Sequence, residues 1–266
     1  MPSTMPRPLA ELSAAAAAAV RGVFTDIDDT LTSEGAITPE ALQALQHLQA
    51  AGIPVIAITG RPMGWSEPFA RDWPVTAIVA ENGAVALFRE QGRLCIEYAQ
   101  DAATRQANAL RLQAVAQRIQ HEVPGAQLAQ DSAGRVTDIA VDHSEFARLD
   151  DARIAQVVAL MRSEGMQATV SSIHINGWYG QHTKLSGAEW MLQRLFGRTL
   201  AAETPHWVYV GDSTNDQQMF AHFPLSVGVA NLMAFAPQLH TWPAYLAQAE
   251  RGAGFAEVAQ RLIAGR

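Results

Sequence analysis

Short apolar runs alternate with helix-like periods along the first third of the chain. Val20 to Ile27 is an apolar stretch that runs into acids, the pattern of a short buried strand. Thr38 to Ala51 predicts a helix, with Pro39 in its first turn, Leu42, Leu45 and Leu48 as its apolar stripe, and Gly52 just past its end. Ile53 to Thr59 is continuously apolar and stops at Gly60, as in a strand covered on both faces. Trp65 to Asp72 predicts a short helix, and Ala77 to Ala80 a third strand that ends at Glu81-Asn82-Gly83. This β-α-β-α-β alternation predicts a parallel sheet with helices on its faces.

The rhythm then changes. Val85 to Phe88 and Leu94 to Tyr98 predict a hairpin around Gln91-Gly92, followed by a long helix near Ala102 to Glu122. Val136 to Asp142 alternates like a half-exposed strand, Asp150 to Ser163 is helical, and Ala168 to Ile175 alternates again. After Gly180 the doubly wound pattern returns: helix at Lys184 to Phe196, strand at Trp207 to Val210, helix from Asn215, strand at Ser226 to Val229, and a last helix near Ala253 to Ala264. The expected fold is α/β, a Rossmann-like doubly wound parallel sheet built from 21–84 and 181–266, with an α+β cap domain inserted at 85–180. The alanine-dominated Ser13 to Val20, preceded by Pro2, Pro6 and Pro8, reads as a loose tail over 1–20 rather than a leader.

Composition narrows the function. A hydrophobic fraction of 48% with 17% charged residues suits a packed core, and the formal charge of -7 without a basic run argues against nucleic-acid or anionic-membrane partners. No stretch approaches the ~18 apolar residues of a membrane span. The single cysteine, Cys95, excludes an intramolecular disulfide and suits a reducing, cytoplasmic setting. An anionic substrate would need a metal or a local cluster to supply positive charge.

The chemistry concentrates at strand ends. In Asp26-Ile27-Asp28-Asp29-Thr30, residues two apart on an extended chain point the same way, so Asp26 and Asp28 can share a pocket while Asp29 faces elsewhere. Ligands of such sheets sit at the carboxyl ends of the strands. Two close carboxylates require a cation or a shared proton, which favours a hard divalent metal. An acidic turn capping the next helix would explain the pentapeptide alone. An EF-hand would need glycine where Leu31 stands and glutamate where Ile37 stands. Gly211-Asp212-Ser213-Thr214-Asn215-Asp216 repeats the strand-end acid pattern, Thr59-Gly60-Arg61-Pro62 offers a hydroxyl beside free N–H groups, and Lys184 opens a helix. Phosphoryl transfer uses this set: a carboxylate nucleophile, a second acid, a metal and lysine to neutralise charge, and a hydroxyl to orient phosphoryl oxygens.

In order and spacing, Asp26-x-Asp28-x-Thr30, Thr59, Lys184 and Gly211-Asp212-x-x-Asn215-Asp216 resemble the four motifs of haloacid dehalogenase-like phosphatases. The insert falls between the second and third motifs. That placement, with Thr59-Gly60-Arg61 and Glu81-Asn82-Gly83, is similar to subfamily IIB, whose type-two α/β cap is shared by Cof-like, sucrose-phosphate and mannosyl-3-phosphoglycerate phosphatases. The resemblance implies Asp26 as nucleophile and Asp28 as acid and then base. It implies Mg2+ held by the Asp26 carboxylate, the Asp28 main-chain carbonyl and Asp212, with Asp216 in support. Thr59, Gly60, Lys184 and Asn215 would hold or organise the phosphate, and Thr30 would brace the loop. Many relatives carry glycine at the position of Asp29, so the loop dihedral must suit a non-glycine residue here.

The cap should close over the leaving group of a small phosphorylated metabolite, a sugar phosphate or a phosphoglycerate-like compound. His174, Asn176, Trp178, Tyr179 and His182 form a polar and aromatic strip leading into Lys184, and Arg61 and Asn82 complete the candidate substrate set. Trp178 and Tyr179 suit interdomain packing equally well. His174 and His182 suit hydrogen-bonded seam roles better than metal ligation, and Arg61 can tie the core loops together. A phosphomutase of the phosphomannomutase kind and a catalytically retired binding protein are the alternatives. A monomer or homodimer is expected.

Overall fold

The computed structural model describes residues 5–266. Its strands and helices follow the chain as β1 (Arg7–Pro8), α1 (Ala14–Ala18), β2 (Gly22–Thr25), β3 (Thr32–Ser33), β4 (Ala36–Ile37), α2 (Pro39–Ala50), β5 (Val55–Ile58), α3 (Met63–Asp72), β6 (Ala77–Ala80), β7 (Val85–Glu90) and β8 (Arg93–Tyr98). The cap contributes α4 (Ala102–Glu122), β9 (Gln127–Leu128), β10 (Asp138–Asp142), α5 (Asp151–Ser163), β11 (Gln167–Val170) and β12 (His174–Trp178). The core resumes with α6 (Lys184–Phe196), α7 (Leu200–Glu203), β13 (Trp207–Gly211), α8 (Gln217–His222), β14 (Leu225–Gly228), β15 (Tyr245–Leu246) and α9 (Arg251–Ala264).

One nine-stranded sheet, in the order β1-β15-β14-β13-β2-β5-β6-β7-β8, forms the core. All its pairings are parallel except those of β6 with β7 and β7 with β8. Residues alternate between two buried faces, as expected of a sheet covered on both sides. Val23, Val55 and Val208 pack with Leu45 and Leu48 of α2 and Phe255 and Leu262 of α9. Phe24, Ile56 and Trp207 pack on the other face with Met191 and Leu192 of α6 and Met219 of α8. The chain leaves β2 for β5 on one side and returns through β13 on the other. The ends of β13, β2 and β5 therefore meet at the sheet's topological switch point, where such folds place ligands.

The cap is a second body: a four-stranded antiparallel sheet, β11-β12-β10-β9, with α4 and α5 packed through Leu112, Val115, Ile119, Val157 and Met161 onto Val141 and Ile175. Among the described residues, no helix is long and apolar enough to cross a membrane.

Two expectations about boundaries need correction. The hairpin of β7 and β8, placed in the 85–180 insert on its pattern, extends the core sheet. Val85 and Leu87 join one core face, and Ala86 and Phe88 the other. The cap therefore begins after Tyr98. The loose tail of 1–20 is also ordered where it is described. Arg7–Pro8 pairs with Tyr245–Leu246 at the sheet edge, Leu9, Leu12, Ala17 and Val20 are buried, and α1 packs on α9 with Ser13 as its N-cap. Its hydrophobic partners lie at the other end of the chain, so local pattern did not reveal them. Residues 1–4 lie outside the described residues. The alternating stretch Ala168 to Ile175 divides into two strands, because the chain turns at Ser171, whose Oγ accepts from the His174 N–H.

Candidate active site

Strand β2 delivers Asp26 by continuing its ladder with β13: the Asp26 N–H donates to the Val210 carbonyl. The chain then turns, with Leu31 N–H bonded to the Ile27 carbonyl and Asp29 at φ +53°. This turn changes the expected geometry. Asp29 does not face away: it lines the same cavity as Asp28 and pairs with Arg251 at 3.1 Å. The dihedral is one that glycine adopts freely and aspartate tolerates better than most residues.

Lys184 is the centre of the site. It is the only lysine in the sequence, and it is buried. Its Nζ lies 2.8 Å from Asp26 Oδ1, 2.7 Å from Asp216 Oδ1 and 3.4 Å from Asn215 Oδ1. A capping box between Thr183 and Ser186 fixes the helix start that carries it. Gly83, at φ +108°, lets the loop after β6 touch that start, since a Cβ there would meet the Thr183 carbonyl oxygen at 2.1 Å. Burial works against the ammonium, but Asp216 and Asp26 outweigh it and hold its pKa above the ordinary lysine value.

Asp26, Asp212 and Asp216 are all buried, and each offers an oxygen within 4.8 Å of the others. Burial pushes Asp26 up to about 7; Lys184 opposes this, while Asp216 and Asp28 add to it. Asp212 lies well above the usual carboxylate range, through burial first and then Asp26, Asp216 and Asp29. Among the described residues its oxygens meet the Thr30 hydroxyl at 3.4 Å and the Asn231 amide at 3.2 Å and are bonded to no cationic side chain; Lys184 offsets only part of the rise. Asp216 is saturated. Oδ1 accepts from Lys184 and the Tyr209 hydroxyl, and Oδ2 accepts from the N–H groups of Asp212 and Ser213. The cluster can hold a metal ion, and its free valence lies on Asp26 and Asp212, with Asp216 bracing the loop. One ammonium against three buried carboxylates leaves the excess negative charge that a divalent cation would balance.

The second acid is held differently. Asp28 Oδ1 accepts from Arg61 Nε at 2.8 Å, and Oδ2 from the Thr59 hydroxyl at 3.4 Å. Arg61 is buried and continues outward to the cap, with Nη1 3.1 Å from Asp131 and Nη2 2.7 Å from Glu145. Gly60 sits under the cap as well: its carbonyl accepts from Arg135 at 2.9 Å and Asn176 at 3.2 Å. Glu81, at φ +50°, accepts from the N–H groups of Met63, Val136 and Thr137 and from the Thr137 hydroxyl. Core loop and cap are therefore sutured through buried, charge-assisted hydrogen bonds.

The expected substrate strip divides. His174 Nε2 lies 2.8 Å from Glu145, at the far side of the Arg61 cluster. Asn176 bridges Gly60 and Asp138, and Asn82, at φ +54°, donates its N–H to the Thr59 carbonyl. Trp178 and Tyr179 are buried packing residues. The Trp178 indole N–H bonds to the His182 carbonyl, its ring stacks on His182, and Tyr179 lies beneath Arg111. None of Trp178, Tyr179 and His182 lines the cavity beside Asp28.

That cavity, about 410 Å3, opens between core and cap and is lined by Asp28, Arg61, Glu34, Glu145 and Phe146 among others. Glu34, Glu145, Phe146 and Asp131 escaped the sequence reading because they belong to no strand-end motif; only folding brings Asp131 and Glu145 to Arg61 and Glu34 and Phe146 to the cavity it lines. The weight of Lys184 could have been seen earlier, because every other member of 19 basic Lys and Arg residues is arginine.

Residues 23–122 match the family model described as haloacid dehalogenase-like hydrolase. The segment contains the strand ends with Asp26, Asp28, Thr59 and Arg61, and the fold of the chain is that of haloacid dehalogenase-like proteins. Similar solved structures include the sucrose-phosphatase of Synechocystis in complex with sucrose and phosphate, at 17% identity and TM-score 0.64, covering 91% of this chain and 97% of that one. A Plasmodium vivax protein described as a HAD/COF-like hydrolase shares 15% identity at TM-score 0.69, covering 96% and 100%. The C-terminal domain of trehalose-6-phosphate phosphatase from C. albicans shares 12% identity at TM-score 0.67, covering 99% of both chains. At these identities the likeness establishes the fold. No curated protein matches the sequence.

Proposed function

We propose that the protein is a Mg2+-dependent phosphatase of small phosphorylated metabolites that works through an aspartyl-phosphate on Asp26. The observation that carries this reading is the state of Asp26. It is buried, Oδ1 is held by Lys184, and no donor among the described residues reaches Oδ2. One oxygen is thus oriented and the other is free to attack phosphorus. Asp26 Oδ2 forms the new P–O bond as the ester P–O bond breaks, and Asp28, entering the step as the neutral carboxylic acid, delivers its proton to the departing oxygen and becomes the carboxylate. Water then attacks the same phosphorus, Asp28 takes its proton, and the bond to Asp26 breaks to release inorganic phosphate. Asp26 and Asp212 would hold the Mg2+, which would neutralise phosphoryl charge. Lys184 and Thr59 would bind phosphoryl oxygens, and Asn215 and Asp216 would keep Lys184 in place.

A phosphomutase needs a second phosphate site. Both cations that line the cavity are already paired, Arg61 with Asp28, Asp131 and Glu145, and Arg251 with Asp29, which favours the phosphatase. Phosphate release from a panel of phosphomonoesters with Mg2+, run beside Asp26→Asn, tests the proposal. Release by the wild type and its loss in the variant are expected. Substantial turnover by Asp26→Asn overturns the nucleophile assignment. Isomerisation of a sugar phosphate without free phosphate supports the mutase, and metal binding without turnover of any compound supports a binding protein.

A further inference from the structure

The cavity beside Asp28 has two unlike walls. On the core side Asp29 and Glu34 present carboxylates; Asp29 is paired with Arg251, whereas Glu34 is exposed and bonded to nothing among the described residues. On the cap side Phe146 and Ile173 present an apolar surface. Phe146 is 66% exposed, unusual for so large an apolar side chain, and it is held in that position. The buried Asp142 carboxylate accepts the N–H groups of Ser144 and Glu145 on Oδ1 and those of Phe146 and Ala147 on Oδ2. The loop that offers the phenyl ring is thereby preorganised for contact. Between the walls, Glu145 closes the cavity with its carboxylate on Arg61 and His174. Leaving aside Asp28, which gives up a proton in the reaction, three carboxylates (Asp29, Glu34, Glu145) face two guanidinium groups, and both guanidinium groups are already engaged.

Resting on the phosphatase reading, we propose that Phe146 and Glu34 determine specificity: this cavity takes an uncharged, hydroxyl-bearing leaving group with an apolar face and rejects one that carries a carboxylate. Carboxylate oxygens accept hydrogen bonds from hydroxyls, and the phenyl ring covers a C–H face. A leaving group with its own carboxylate meets uncompensated negative charge and no free cation. At an effective dielectric near that of a protein surface, one like charge at several ångströms lowers kcat/KM roughly tenfold or more.

The test compares kcat/KM for phosphate release from glucose 6-phosphate and glycerol phosphate with that from 3-phosphoglycerate and phosphoglycolate, in the full chain with Mg2+. Acetyl phosphate, whose leaving group carries neither a hydroxyl nor a carboxylate beyond the one formed in the reaction, measures the basal chemistry. The hydroxylated pair is expected to exceed the carboxylated pair at least tenfold, and Glu34→Lys to narrow that gap severalfold. Phe146→Ala should raise KM for glucose 6-phosphate with kcat and acetyl phosphate turnover little changed, and Phe146→Tyr should restore KM. Equal or better use of the carboxylated pair by the wild type, or unchanged selectivity in both Glu34→Lys and Phe146→Ala, overturns the inference and leaves the phosphatase intact. No phosphate from any compound, acetyl phosphate included, overturns the phosphatase reading and the selectivity with it.

Discussion

Replacing Lys184 with methionine removes the only ammonium among Asp26, Asp216 and Asp212 while keeping most of the side-chain volume. Two contacts of 2.8 and 2.7 Å disappear, and both carboxylates remain buried. Removing one partner of a buried ion pair costs about 3–5 kcal/mol, since the remaining charge loses its compensation. Lys184 is also placed to neutralise phosphoryl oxygens, and loss of one such preorganised donor lowers kcat by roughly 10^2–10^3. Lys184→Arg should restore little, because the contacts converge on a single Nζ that a planar guanidinium does not reproduce. Two assays read this: acetyl phosphate turnover with saturating Mg2+, and urea unfolding in chelator, where no metal can stand in for the ammonium. A kcat within threefold of wild type, together with an unchanged unfolding midpoint, would refute the central role given to Lys184.

Asp212→Asn removes a buried carboxylate that is bonded to no cationic side chain among the described residues and whose charged form burial and the neighbouring carboxylates disfavour, so the metal-free protein should melt at the same temperature or higher while the rise in melting temperature on adding Mg2+ disappears. An undiminished Mg2+ shift in thermal denaturation would remove Asp212 from the metal site. Glu81→Ala strands N–H groups of Met63, Val136 and Thr137, and at ~1–3 kcal/mol for each unsatisfied group the variant should lose about 3 kcal/mol or more in urea unfolding; a loss below about 1 kcal/mol would contradict the suture. Burial lowers His182 to about 4 from an ordinary 6.5, so the unfolded chain binds the proton more readily and stability falls as pH drops through that window. The contribution is about 2 kcal/mol between pH 7 and pH 5, and His182→Phe should remove it from the pH dependence of urea unfolding. Equal pH dependence in both proteins would rule it out.

The sequence by itself determined the doubly wound alternation, because apolar runs of strand length and helical periods are local properties. It also placed the acids, since Asp26, Asp28, Asp212 and Asp216 directly follow recognisable strands. Their strand-end positions and order carried the resemblance to haloacid dehalogenase-like phosphatases. Where an element's partner is distant in sequence, local pattern could not decide. The alanine-rich start needed α9 to become structure, and the hairpin of β7 and β8 joined the core sheet only through its pairing with β6. The turn after Ile27 brought Asp29 into the cavity, although strand alternation pointed it away. Trp178 and Tyr179 suit recognition and packing equally well in sequence and are buried packing residues in the fold. Arg61 and Glu34 come from two separate core loops and the neighbouring Glu145 and Phe146 from one cap loop, so no spacing joins the three segments. Only the docking of cap on core, through buried hydrogen bonds between segments far apart in the chain, brought them together and shaped the cavity beside Asp28.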